Sequence, residues 1–226
     1  MKAKEMPFYI CHCKKLTERK PHLESELSRV GIQKAQWILN FDADELTEEY
    51  VFDVLETSLW YERMQLPIYP SPPTYRVLSK PVTSLVMKHR EAYRMFLETG
   101  EPYALISEDD TFFHPDYNSL FEKYFATMPE DADIVHMCAA SDLFPSNILD
   151  GQYFYENHLT RGTGLYLISR RAAEIMLNGL HFFCGPIDFE INYFVYKHDL
   201  KSYWLHPLLA HQGSETIYSS SLDGKR

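Results

Sequence analysis

Hydrophobic positions along the 226 residues follow two alternating periods. Short apolar runs bounded by polar residues read as buried strands, and apolar positions spaced three and four apart read as helix faces. Pro7-Phe8-Tyr9-Ile10-Cys11-His12-Cys13 predicts a first strand. Over 19–30, Leu23, Leu27 and Val30 keep a helical period, and Gly31 predicts its end. A short strand is expected over 35–39, then the polar turn Asn40-Phe41-Asp42-Ala43-Asp44, then an acidic helix over 46–59. Pro67, Pro70, Pro72, Pro73 and Pro81 make 66–81 the clearest loop, and a loop of that length is usually functional or mobile. A helix over 82–99 closed by Gly100 precedes a strand over 103–107, which runs straight into Glu108-Asp109-Asp110. Further on, the pattern predicts helices over 115–128, 171–177 and 187–196 and strands over 133–137, 164–169 and 202–205. The polar stretch 212–226, with Ser219-Ser220-Ser221, reads as a flexible tail.

Strands alternating with helices over this length imply a single layered α/β domain with a central, mainly parallel sheet flanked by helices. Such folds place ligands at the carboxyl ends of their strands.

Composition narrows the classes. Lys plus Arg is 22 and Asp plus Glu is 32, a formal net charge of −10. That balance argues against a broad electrostatic grip on nucleic acid or an anionic membrane. It leaves room for a local basic pocket, or a metal ion, to hold a phosphate. No apolar run approaches the ~18 residues that span a bilayer. The start, Met1-Lys2-Ala3-Lys4-Glu5-Met6-Pro7, lacks the apolar stretch of a secretory signal, so a cytoplasmic protein is expected. Four cysteines in a chain of this size do not make a disulfide framework and read as reduced thiols. Cys11 and Cys13 should face the same side of their strand. Cys11-His12-Cys13 has no second closely spaced ligand pair to complete a structural zinc site. Aromatic residues make up 15%, which suits packing, sugar stacking or protein contact equally.

Glu108-Asp109-Asp110 is the strongest chemical signal. Three adjacent carboxylates repel one another unless a cation or hydrogen-bond donors offset the charge. A hard divalent metal does so, taking one or two protein carboxylates and filling its shell with substrate phosphates and water. The simpler reading is an acidic loop capping the next helix. His211 is either a further ligand, since imidazole suits borderline metals, or a surface residue. Asp188, after Gly185-Pro186, is either a helix cap or a carboxylate at a cleft rim, where a general base stands. Arg161-Gly162-Thr163-Gly164 lacks the rest of a phosphate-loop fingerprint and reads as a turn feeding a strand.

Taken in order, these pieces resemble one known family. They are Tyr9-Ile10 with Leu16-Thr17-Glu18-Arg19, then Val86-Met87-Lys88-His89-Arg90-Glu91-Ala92-Tyr93, then Ala104-Leu105-Ile106-Ser107-Glu108-Asp109-Asp110. Gly162-Thr163-Gly164-Leu165-Tyr166-Leu167-Ile168-Ser169-Arg170-Arg171-Ala172-Ala173 follows, then Pro186-Ile187-Asp188, Tyr203-Trp204, Pro207 and His211-Gln212. The set is similar to glycosyltransferase family 25, the lipooligosaccharide-biosynthesis and collagen-galactosyltransferase type, over nearly the whole chain. Lys88 stands where that family usually has Ser, and 66–81 has no firm counterpart.

The resemblance implies a GT-A type fold and an inverting transfer of galactose, or a related hexose or pentose, from a UDP-sugar to an oligosaccharide or glycoconjugate hydroxyl. It implies a divalent cofactor, manganese or magnesium. Asp110 would hold the metal with Asp109 nearby, and His211 would be a further ligand. Asp188 would be the base, with Glu190 as substitute. Uridine and ribose would lie at the strand end near Ile10 and at the turn holding Asn40 and Asp42. Arg19 and Lys88 are candidate diphosphate contacts, and His89, Glu108, Asp109 and Gly164 complete the donor-binding set. Tyr153, Tyr155 and Trp204 are either sugar-stacking or core residues. Two other readings remain at this point. A catalytically silent sugar- or nucleotide-binding protein of the same fold would leave Asp188 dispensable. A nucleotidyltransferase would carry a basic Gly-rich loop near its N-terminus, and none is visible.

Overall fold

β1 (Phe8–Cys11) is buried at every position, which only a strand covered on both faces requires. The computed structural model, which describes residues 2–69, 71, 78–138, 145–215 and 217–218, puts it inside a mixed sheet. β1 pairs in parallel with β2 (Ala35–Ile38) on one side and β3 (Tyr103–Glu108) on the other. β3 runs antiparallel to β7 (Leu165–Ser169), and β7 runs antiparallel to β5 (Ile134–His136). β8 (Ser202–Leu205) is parallel to β5, and β6 (Phe154–Glu156) closes the far edge antiparallel to β8. Among the described residues the order is β2-β1-β3-β7-β5-β8-β6, and only β7 and β6 oppose the common direction. This is the α/β layout, a mainly parallel central sheet flanked by helices, that the alternating strands and helices of the sequence imply.

The pleat divides the core. Tyr9, Cys11, Ala104, Ile106, Tyr166 and Ile168 face one way, against α4 (Lys80–Leu97), α6 (Arg170–Gly179) and α7 (Ile187–Lys197). Phe8, Ile10, Leu105, Leu165 and Leu167 face the other way, against α1 (Arg19–Arg29) and α5 (Tyr117–Phe125). Each large side chain buried this way contributes ~1.5–3 kcal/mol.

The predicted helix over 46–59 is broken. Thr47 caps α2 (Glu48–Val54) by accepting from Tyr50 N, and Leu55 then bridges in parallel to Phe183. That tertiary pairing stretches the chain before α3 (Trp60–Met64) starts. Pro81, taken from the sequence as the last loop proline, lies in the first turn of α4, where its missing N–H costs nothing. Pro70, Pro72 and Pro73 fall outside the described residues, as does 219–226.

Gln212 belongs to a strand and not to a tail. β9 (Ala210–Gln212) pairs antiparallel with β4 (Thr111–Phe113), which follows directly on the acidic motif. Gly213 N and Ser214 N then donate to the main-chain oxygen and Oδ2 of Asp110, so the chain after His211 is tied to that motif. β4, β6 and β9 are three residues each, too short for their periodicity to be read. No described helix is long and apolar enough to cross a membrane.

Candidate active site

β3 delivers three carboxylates to one strand end, and each meets a different environment. Asp109 is buried and saturated. Its Oδ2 lies 2.7 Å from His12 Nδ1 and accepts from Cys13 N at 3.1 Å, while its Oδ1 accepts from Arg19 NH1 at 2.8 Å. Burial pushes its pKa up, but the His12 and Arg19 hydrogen bonds outweigh that and hold the carboxyl below its ordinary value. Glu108 is half-buried and accepts from Thr163 Oγ1 at 2.6 Å. Burial first, and then the Asp110 charge, push its pKa up to about 8. Asp110 is 1% exposed, its Oδ2 accepts from Ser214 N at 2.9 Å, and its Oδ1 has no partner.

As a closed metal site these donors are incomplete. Among the described residues no three His, Cys, Asp or Glu side chains gather into a closed ligand set. His211 sits opposite Phe112 in the ladder and is exposed, with its ring stacked on Phe112 at 5.2 Å. The structure therefore does not bring His211 and Asp110 together as ligands. The orphaned, buried Asp110 Oδ1 fits an open site instead, in which the protein gives one or two oxygens and substrate and water give the rest. Cys11 and Cys13 both line the adjacent cleft, as their spacing predicts, and all four cysteines are free.

That cleft, with a volume of about 110 Å³, runs between the end of β1, the starts of α1 and α4, and the acidic motif. It brings together Arg19, Lys88, Glu108 and Asp109. Lys88 does not point free into it. Its Nζ lies 2.8 Å from Asp42 Oδ1 and donates to Asn40 O at 2.6 Å, while Asp42 Oδ2 accepts from Lys14 N at 3.1 Å. The polar turn is thus tied to α4, and between Asn40 and Asp42 Phe41 is held at φ 66°, a strained conformation for an L residue. Asn40 gives its carbonyl to this lock, and its side chain is exposed.

Three donor-set candidates lie elsewhere. Ile10 is in the core on the sheet face away from Cys11. His89 is one residue past Lys88, so the helix turns it inward. Its Nδ1 lies 2.8 Å from Tyr166 Oη, which lies 2.8 Å from Tyr93 Oη, and burial pushes the imidazole down to about 3. Gly164 is a packing position. An added Cβ there would stand 2.3 Å from Gln212 Cγ, and its carbonyl accepts from Glu108 N at 3.0 Å and Thr111 Oγ1 at 2.7 Å.

The two candidate bases separate clearly. Asp188 lies in the first turn of α7, half-buried, and burial pushes its pKa up to about 6. Its charge also raises the pKa of Glu108, so the two share one field. Glu190 is fully buried, with Oε2 2.6 Å from Arg63 NH1 and Oε1 accepting from Cys184 N at 2.8 Å and Gly185 N at 2.9 Å. Both its oxygens are engaged and closed off, so Glu190 is a structural ion-pair partner and not a base. Tyr155 and Tyr153 lie at the far edge of the sheet, the first buried with its Oη accepting from Leu149 N at 2.9 Å, the second stacked 4.1 Å from Tyr124. Trp204 Nε1 donates to Leu159 O at 2.9 Å.

Arg63 belongs to this region and is not singled out by the sequence, while His12, Thr163 and Arg161 lie in motifs that the sequence reads without assigning them a role in the site. His12 pairs with a residue 97 positions away and Arg63 with one 127 positions away, so no local spacing encodes either contact.

No protein-family model matches the chain, and no curated protein matches it. Solved structures are similar to it at low identity. A Bacillus anthracis protein described as a glucose-1-phosphate thymidylyltransferase, in complex with sucrose, is 14% identical at a TM-score of 0.41, over 88% of this chain and 86% of that one. The 4-diphosphocytidyl-2C-methyl-D-erythritol synthase of Anaerococcus prevotii is 12% identical at a TM-score of 0.42, over 92% and 89%. Mouse xyloside xylosyltransferase 1, in its apo form, is 13% identical at a TM-score of 0.39, over 87% and 83%.

Proposed function

We propose that this chain is a single-domain, metal-dependent inverting glycosyltransferase that moves a sugar from a UDP-sugar to a glycan hydroxyl, akin to glycosyltransferase family 25. The observation that carries this reading is the buried carboxylate oxygen of Asp110, left without a hydrogen-bond partner one residue on from Glu108 and Asp109, which line the cleft. A buried acceptor without a donor is costly, and a cation shared with a diphosphate removes that cost. Manganese or magnesium at Asp110 supplies Lewis-acid stabilisation of the departing diphosphate.

The protein's own groups do the rest. Arg19 stays cationic, since the carboxylates around it push its pKa further up against the effect of burial, and it brings positive charge to the cleft. Asp109 holds Arg19 and His12 in place. Lys88 fixes the 40–42 turn, where the uridine is expected to bind. On the acceptor side, Asp188 takes the hydroxyl proton as the acceptor oxygen attacks the anomeric carbon. The bond from that carbon to the diphosphate oxygen breaks on the opposite face, which inverts the configuration. A carboxylate with a pKa near 6 is ionised at neutral pH and more basic than an ordinary aspartate, as a general base should be. The four free thiols suit a reducing, cytoplasmic setting.

The test is a panel of UDP-sugars with manganese or magnesium and glycan acceptors, following UDP release and the anomeric configuration of the product by NMR. Turnover with inversion, lost in EDTA, is expected. Retention of configuration, or undiminished turnover in EDTA, overturns the mechanism.

A further inference from the structure

Arg161 stands out among the described cations near Asp188. Its guanidinium carbon sits 4.3 Å from the ring centroid of Phe189 and 5.5 Å from that of Tyr69, and the two rings lie 5.5 Å from each other. Stacking on two rings fixes the plane of a guanidinium and leaves its edge N–H groups free to donate. Those groups make no hydrogen bond to a described residue, and no described carboxylate lies within ion-pairing distance. Arg19, Lys88 and Arg63, by contrast, are each paired with a carboxylate.

The backbone that carries Arg161 is fixed although it has no regular structure. Asn192 Oδ1 accepts from Thr160 N at 2.7 Å, and its Nδ2 donates to Thr160 O at 3.1 Å. Thr160 Oγ1 donates to Gly162 O at 2.9 Å, Trp204 holds Leu159 O, and Thr163 is bonded to Glu108. Phe189 follows Asp188 directly in α7, so the stacked arginine stands beside the proposed base and feels its charge.

We propose that Arg161 is a specificity-determining residue that binds an anionic group, a carboxylate or a phosphate, on the acceptor sugar. The claim names the acceptor class and rests on the placement of the acceptor beside Asp188. A planar guanidinium with free edge donors matches two oxygens of such a group bidentately. The neighbouring Asp188, ionised at neutral pH, would repel an acidic acceptor that found no fixed cation there. For a neutral glycan, a rigidly stacked and unpaired arginine would have no counterpart.

The test is binding, which needs no turnover. Methyl β-glucuronide, glucose 6-phosphate and methyl β-glucoside are titrated into the intact protein and followed by NMR. Wild type is expected to bind at least one anionic sugar about tenfold or more tighter than the neutral one. The two anionic arms show whether carboxylate or phosphate is read. Arg161→Gln should lose the preference and Arg161→Lys should keep part of it, with both melting near wild type. Equal binding of all three sugars, or a preference that survives in Arg161→Gln, overturns the proposal. Absent UDP-sugar turnover in a protein that keeps the preference would count against the transfer reaction and not against this site.

Discussion

His12 Nδ1 lies 2.7 Å from Asp109 Oδ2, joining the ends of β1 and β3 where the cleft opens. Arg19 completes the clamp from the first residue of α1. Asp109 therefore holds the site together. Asp109→Asn would leave the buried Arg19 without its closest countercharge, and a cost of about 3 kcal/mol is expected. Because the folded carboxyl titrates below its unfolded value, this stability is present above the unfolded pKa of ~3.9 and is lost as pH falls through the folded one. Urea melts at pH 7 and pH 3 check it: the gap between wild type and variant should shrink at the lower pH.

Glu190 is expected to matter for stability only. Glu190→Gln leaves Arg63 uncompensated under the rings of Tyr193 and Phe194, and about 3–5 kcal/mol should be lost. That corresponds to a fall of roughly 10 °C in Tm. The kcat of the fraction that remains folded should stay within about twofold of wild type, where loss of a general base would cost ~100-fold or more.

If Asp188 is the base, its titration sets the acid limb of the rate. The folded pKa is raised to about 6, so the active, ionised form predominates above pH 6 and is lost below it. kcat/KM should fall about tenfold per pH unit below that point and level off above it. Asp188→Asn should flatten the limb at a rate lower by roughly 100-fold or more.

Gly164→Ala probes the packing between β9 and the acidic motif. The new methyl would meet Gln212 Cγ at 2.3 Å, which is overlap and not contact. Overpacking of this kind costs ~1–3 kcal/mol. Pushing β9 away also shifts the Gly213 and Ser214 amides that bond to Asp110, so turnover should fall along with Tm in the same sample.

Much of the frame was legible in the chain. β1, β3, β5, β7 and β8 are continuous apolar runs, and Gly31 and Gly100 end their helices at φ 72° and 76° as expected. The acidic motif lies at a strand end because the apolar run stops where the charges begin. What could not be read is non-local. Leu55 leaves its helix because Phe183 pairs with it, and Gln212 leaves its tail because Thr111 does. The resemblance offers Asp188 as the base with Glu190, two residues on, as its substitute. On a helix, two residues turn the side chain by roughly 200°, which sends Glu190 into the core beside Arg63 and leaves Asp188 half-buried. His89 leaves the donor set for a related reason: one residue past Lys88, the helix turns it by roughly 100° towards Tyr166, while Lys88 reaches Asp42. Arg161 reads only as part of its turn because no local pattern announces the rings of Tyr69 and Phe189.

The most direct measurement is a thermal shift with UDP and manganese, singly and together, on wild type and Asp110→Asn. Asp110→Asn keeps an oxygen for Ser214 N, so its own Tm should lie close to wild type. A ligand that binds only the folded state stabilises it by about 2.7 kcal/mol at a hundred times its Kd. The account predicts a shift in wild type that needs UDP and manganese together and disappears in Asp110→Asn. A shift of equal size without the metal, or one that Asp110→Asn leaves intact, would contradict it.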